Sequence, residues 1–120
     1  MNGRRILVCD DVKDARELYA DALEQAGHDV FVVSNGTDAL TTIQTGHIEV
    51  AIIDIALPDM SGYDIARAVR ADPTTKDLRL IAVTGLAREE DRAEATDAGF
   101  DAHLAKPVHL QELFGALDQG

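Results

Sequence analysis

With 120 residues, 46% of them hydrophobic and none of them tryptophan, the chain is long enough for one domain with an aliphatic core. Eleven basic against twenty-two acidic side chains leave a formal net charge of -11, which repels phosphate backbones and anionic headgroups and argues against direct nucleic-acid or membrane binding. The start, MNGRRILVCDD, has too short an apolar run for a signal peptide and no stretch can span a bilayer, so a cytoplasmic location is expected.

Short apolar runs alternate with segments of helical spacing. RILVC (5–9) is the first run, and Cys9 within it, lacking any second cysteine, reads as a buried core thiol. Val12, Ala15, Leu18, Tyr19, Ala22, Leu23 and Ala26 then recur at three- and four-residue steps, which predicts one buried helical face ended by Gly27. DVFVV (29–33) precedes Ala39, Leu40 and Ile43. VAIID (50–54) precedes Ile65, Ala66 and Val69, behind an N-cap at Ser61.

ADPTTKD (71–77) is a surface connection with a proline breaker, and RLIAV (79–83) follows it. The next helical segment, LAREEDRAEATDAG (86–99), offers mainly alanines to a core and should be the most loosely held. AHLA (102–105) is the weakest strand signal, and Leu110, Leu113, Phe114 and Leu117 make the last helical face. Strands that are continuously apolar, each followed by a helix, indicate an α/β domain with a parallel sheet covered on both faces. Right-handed crossovers then bring every strand's carboxyl end to one edge, where such sheets bind ligands.

Asp10 and Asp11 follow the first strand, Asp54 ends the third, Thr84 follows the fourth, and Lys106 comes just after the fifth, before Pro107. Singly, each has an ordinary structural reading as a cap, a turn residue or a solvated charge. Together they gather three carboxylates, a hydroxyl and an ammonium at one edge. A divalent cation beside Lys106 brings the charge of the three carboxylates to zero, and oxygen donors suit a hard cation such as Mg2+. A phosphoryl group is the natural third party, and an Asp can itself be the nucleophile that forms an acyl phosphate.

The set LVCDD, AIIDIALPDMSGYD, IAVTG and AGFDAHLAKPV resembles the receiver domain of response regulators in two-component signalling, over essentially all of residues 1–120. The resemblance implies a flavodoxin-like (βα)5 fold of strand order 2-1-3-4-5, with Asp54 as phosphoacceptor for a sensor histidine kinase or phosphotransfer protein. It implies Mg2+ bound by Asp11, Asp54 and the Ala56 carbonyl, with Asp10 acting mainly through metal-bound water. Lys106 and Thr84 would hold the phosphoryl oxygens, and the Lys106–Pro107 peptide would be cis.

In the switch that the resemblance implies, Thr84 moves toward the phosphoryl group and the side chain at His103 turns into the vacated space. Many family members carry Tyr or Phe there, whereas imidazole is polar and titrates near neutrality; a solvent-facing His on an edge strand is the competing reading. His28, His47 and His109 show no ligand spacing and read as surface residues.

The resemblance also implies that Ala56 and Leu86 flank the path of a hydrolytic water; neither side chain can orient one, so slow self-dephosphorylation is expected. AHLAKPV is closer to receivers of hybrid sensor kinases than to those of winged-helix transcription factors. HLQELFGALDQG lacks the Lys and Arg of a charged dimer face, which favours a monomer whose output surface is the fourth helix, fifth strand and fifth helix. The alternatives are a Mg2+-dependent phosphatase of haloacid dehalogenase type, which needs an Asp where Ala56 stands, and a binding module that is never phosphorylated.

Overall fold

The aliphatic runs at 5–9, 50–54 and 79–83 become central strands with both faces covered, while those at 29–33 and 102–105 are only partly buried. In the computed structural model, which describes residues 3–85 and 88–118, the order is β1 (Arg5–Cys9), α1 (Lys13–Gln25), β2 (Asp29–Val33), α2 (Gly36–Thr45), β3 (Val50–Asp54), α3 (Gly62–Ala71), β4 (Arg79–Thr84), α4 (Glu89–Ala98), β5 (Ala102–Ala105) and α5 (Leu110–Asp118). The strands form a flavodoxin-like parallel sheet of order β2-β1-β3-β4-β5. This is the expected topology, with β4 extended by one residue to include Thr84.

Side chains alternate along each strand, so the sheet divides the core in two. Leu7, Ala51, Ile53 and Leu80 pack with Ile43 of α2, Ile65 and Val69 of α3 and Ala95 of α4. Ile6, Val8, Ile52 and Ile81 pack on the other face with Tyr19 and Leu23 of α1 and Leu113 and Leu117 of α5. Every residue of β3 is buried, and truncating Ile52 or Ile53 to Ala would cost about 2–5 kcal/mol. The strand that delivers Asp54 is therefore rigidly placed.

Two helical readings need correction. Val12 is the residue before the first turn of α1 and is 50% exposed, and Leu18 is 53% exposed, while Ala20 is buried with Tyr19 and Leu23. The helix meets the sheet along a narrower stripe than the periodicity predicted, because α1 covers one side of an edge region where β2 is itself only partly buried. Of the segment 86–99, in which residues 86 and 87 lie outside the described residues, Glu89–Ala98 is helical, and Asp91 joins Ala95 and Ala98 as its buried residues. Asp91 occupies that place as a cap, accepting from the Arg88 backbone N–H at 3.2 Å.

At the edge opposite Asp54, arginines tie the helices to the strand starts. Arg4 Nη1 donates to Leu117 O and Arg79 Nε to Ala116 O, each at 2.7 Å, which satisfies carbonyls of the last turn of α5, where no basic residue is present. Arg70 donates to the carbonyls of Gly99, Lys76 and Leu78 and pairs with Asp101 at 2.9 Å, joining α3 to the connections around β4 and β5.

Candidate functional site

The strand ends converge as the topology requires. Asp10 is 2% exposed and its Oδ1 accepts the Val12 N–H at 2.9 Å, while Asp11 is exposed. Asp54 is 4% exposed; its Oδ1 accepts the Ala56 N–H at 3.0 Å and its Oδ2 accepts from Lys106 Nζ at 2.8 Å. The same ammonium lies 3.3 Å from Asp10 Oδ2. Thr84 ends β4 and is buried, and its carbonyl accepts the Lys106 N–H at 2.8 Å. The Lys106–Pro107 peptide is cis. Gly62 lets α3 begin against this end of β3, since a Cβ there would sit 2.8 Å from the Asp54 carbonyl oxygen.

Burial raises the Asp54 pKa above the ordinary carboxylate value, opposed by the Lys106 and Ala56 hydrogen bonds and reinforced by Asp10. Burial works against the Lys106 ammonium too, but Asp54 and Asp10 outweigh it and hold its pKa above the ordinary lysine value. The Cys9 thiol is pushed up to about 12 by burial and then by the neighbouring carboxylates, so it stays protonated.

Asp10, Asp11 and Asp54 each bring a carboxylate oxygen within 4.8 Å of the others, an arrangement able to hold a metal ion. Asp10 Oδ2 is shut off from solvent and, although within ion-pair reach of Lys106, has no hydrogen-bond partner among the described residues. Three carboxylates against one ammonium leave two negative charges, and hard oxygen donors with that excess fit a divalent cation.

The family model for the response regulator receiver domain matches residues 6–118. The chain belongs to the response-regulator receiver family. It is 39% identical over 114 residues to an uncharacterized 14.6 kDa protein of Leptolyngbya boryana, covering 95% of this chain and 87% of that one. It is 32% identical over 117 residues to the phosphate regulon transcriptional regulatory protein PhoB of Pseudomonas aeruginosa, covering 98% of this chain but 51% of PhoB. The chain thus spans about half of the curated transcriptional regulators it matches. The chemotaxis response regulator CheY4 of Vibrio cholerae superposes with a TM-score of 0.91 at 27% identity, covering 97% of each chain.

Other residues of this receiver were less visible in the sequence. Asp59, in the connection after β3, accepts the Gly36 N–H at 2.7 Å, the Thr37 N–H at 2.9 Å and the Thr37 hydroxyl at 2.7 Å. These bonds, the Gly36 one first, hold its pKa down to about 2 and clamp the start of α2 to the loop that follows Asp54. Gly36 is required for the approach, because a Cβ there would meet the Met60 side chain at 2.3 Å.

His103 is partly buried: both ring nitrogens are inaccessible, and neither has a hydrogen-bond partner among the described residues. His28 is half-buried, its Nδ1 accepting the Arg4 N–H at 3.0 Å, so it is not the surface residue expected, whereas His47 and His109 are exposed. Leu86 lies outside the described residues.

Proposed function

We propose that this receiver accepts a phosphoryl group on Asp54 from the phosphohistidine of a sensor histidine kinase or phosphotransfer protein, and that the product resets the surface of α4, β5 and α5. Support comes foremost from Asp54 itself, a buried carboxylate at the end of a central strand with Lys106 Nζ at 2.8 Å. Asp10, Asp11, Asp54 and the Ala56 carbonyl would hold Mg2+. When bound, Mg2+ offsets charge on the phosphoryl oxygens.

In the transfer, an Asp54 carboxylate oxygen forms a bond to phosphorus as the donor's P–N bond breaks, and the bonding pair leaves on the donor imidazole. The product is an acyl phosphate. Lys106 then pairs with a phosphoryl oxygen and the Thr84 hydroxyl donates to another, each positioned by a strand end. Ala56 carries only a methyl group and cannot orient an attacking water, which supports slow hydrolysis.

The donor must reach Asp54 from outside, and exposed Val12 and Leu18 flank the approach. With Tyr19, Pro107 and Val108 they line an open groove of about 450 Å3 that runs up to Lys106, a suitable seat for an apolar helix carrying the phosphohistidine. No helix among the described residues is long and apolar enough to cross a membrane. We place the exchange in the cytoplasm and read the chain as a monomer there.

Incubation with Mg2+ and a small phosphodonor, read by intact mass, tests the function. Addition of one phosphoryl group is expected, lost with a chelator and in Asp54→Asn. Steady turnover of organic phosphates would instead favour the phosphatase.

A further inference from the structure

His103 sits on β5 in register with Ala82 of β4 and borders a cavity of about 200 Å3 together with Arg92, Ala95 and Thr96 of α4. Its two ring nitrogens are both buried and both without a partner among the described residues. A neutral imidazole leaves one N–H and one lone pair unmet in such a place; an imidazolium leaves two N–H groups and a charge.

The surroundings offer that charge little compensation. Asp91 of α4 already accepts from Arg88 through its backbone and guanidinium, each at 3.2 Å. Asp101, which also borders the cavity, is engaged by Arg70 Nη2 at 2.9 Å and the Leu80 N–H at 2.8 Å. Arg92 faces the ring with a like charge, and β4 contributes only Ala82 in register. Burial, then Arg92, hold the His103 pKa below the ordinary imidazole value, against a smaller opposing effect of Asp91.

Above the ring, α4 is weakly held. Its buried residues are Asp91, Ala95 and Ala98, with no large side chain among them. A helix seated by two alanines and a capping carboxylate gives way before an unpaired cation is accommodated beneath it.

We propose that His103 makes the contact of α4 with β5 proton-sensitive: the neutral ring fits under α4, and protonation drives it out and loosens that helix. The α4 and β5 surface then answers to pH as well as to Asp54; the second input rests on the function proposed above, and the proton input does not. The folded-state pKa is lowered, so the seated form is fully stable above the ordinary imidazole value of about 6.5. Its stability is lost as the pH falls through the lower folded value.

The test uses the full, unphosphorylated chain. NMR follows the His103 ring through its titration, and hydrogen exchange follows the amides of α4, with those of α3 as reference and rates corrected for intrinsic pH dependence. Protection in α4 is expected to fall by about tenfold or more in step with ring protonation while α3 is unchanged. His103→Phe should abolish the step, and Arg92→Gln, at an exposed position, should move its midpoint to higher pH.

Unchanged α4 protection through the ring titration overturns the proposal, as does an equal loss in His103→Phe. If His103→Phe does not fold, an unmoved midpoint in Arg92→Gln overturns it. Phosphoryl uptake, weighed separately by mass, tests the function: a chain that takes up none loses the phosphorylation reading while the α4 result stands.

Discussion

Lys106 Nζ donates to Asp54 Oδ2 at 2.8 Å across a separation of 52 residues, so the charge of a buried carboxylate at the sheet centre depends on the loop beyond the outermost strand. Any change at Asp54 is felt first by Lys106, and through the Lys106 N–H bond to the Thr84 carbonyl it reaches the end of β4. The ion pair and the strand ends form one mechanical unit.

The raised pKa of Asp54 makes a stability prediction. Its folded value lies above its unfolded one, so the associated stability is present below the ordinary carboxylate range and is lost as the pH rises through the folded value. In metal-free protein at neutral pH, Asp54→Asn should raise Tm by roughly 2–6 °C, an advantage that vanishes in acid. Mg2+ should raise the Tm of the wild type at neutral pH and do far less for the variant. Thermal melts with and without Mg2+ at two pH values check both.

Asp59 behaves in the opposite sense. Its folded pKa is depressed to about 2, so the clamp on α2 contributes stability above the ordinary carboxylate value that disappears as the pH falls through about 2. Asp59→Ala should lower Tm at neutral pH and speed amide exchange at Gly36 and Thr37. Its Tm should converge with the wild type in strong acid, which calorimetry would follow.

The groove beside Lys106 separates protein donors from small ones. Leu18→Glu, which replaces an exposed side chain and leaves the core intact, should slow transfer from a phosphohistidine protein by about tenfold or more, in line with loss of an interface anchor. Uptake from a small phosphodonor should stay within about twofold of wild type, since the variant adds one charge near a screened surface. Parallel mass time courses with the two donors would show whether the loss is confined to the protein.

Persistence of the modified state follows from the lack of a water-orienting side chain at Ala56. After donor removal, decay of the phosphorylated mass should take minutes or longer, and a half-life of seconds would contradict the role assigned to that position. Leu86 likewise has no hydrogen-bonding group in its side chain.

The sheet was legible because its strands are nearly uninterrupted aliphatic runs, and all five appear at the expected places. Asp10, Asp54, Thr84 and Lys106 were legible for a related reason: each stands at or just past the end of a strand, and parallel topology aligns those ends. Val12 and Leu18 were not, since three- and four-residue spacing marks a stripe of apolar residues without saying how wide the contact with the sheet will be. Asp59 escaped notice because it caps a helix that begins 23 residues earlier, at Gly36, a pairing with no local signature. His103 was singled out by its residue type, but the shortage of polar partners around its ring depends on Arg70, Arg88 and Leu80 occupying the nearby carboxylates, which no spacing reveals.

The central claim is that Asp54 itself carries the phosphoryl group. Reduction of the phosphorylated protein with borohydride converts an aspartyl phosphate to homoserine, and peptide mass spectrometry then locates the converted residue. Conversion at Asp54, absent from unphosphorylated protein and from Asp54→Asn, is the expected result; conversion at Asp10 or Asp11 with Asp54 untouched would contradict it.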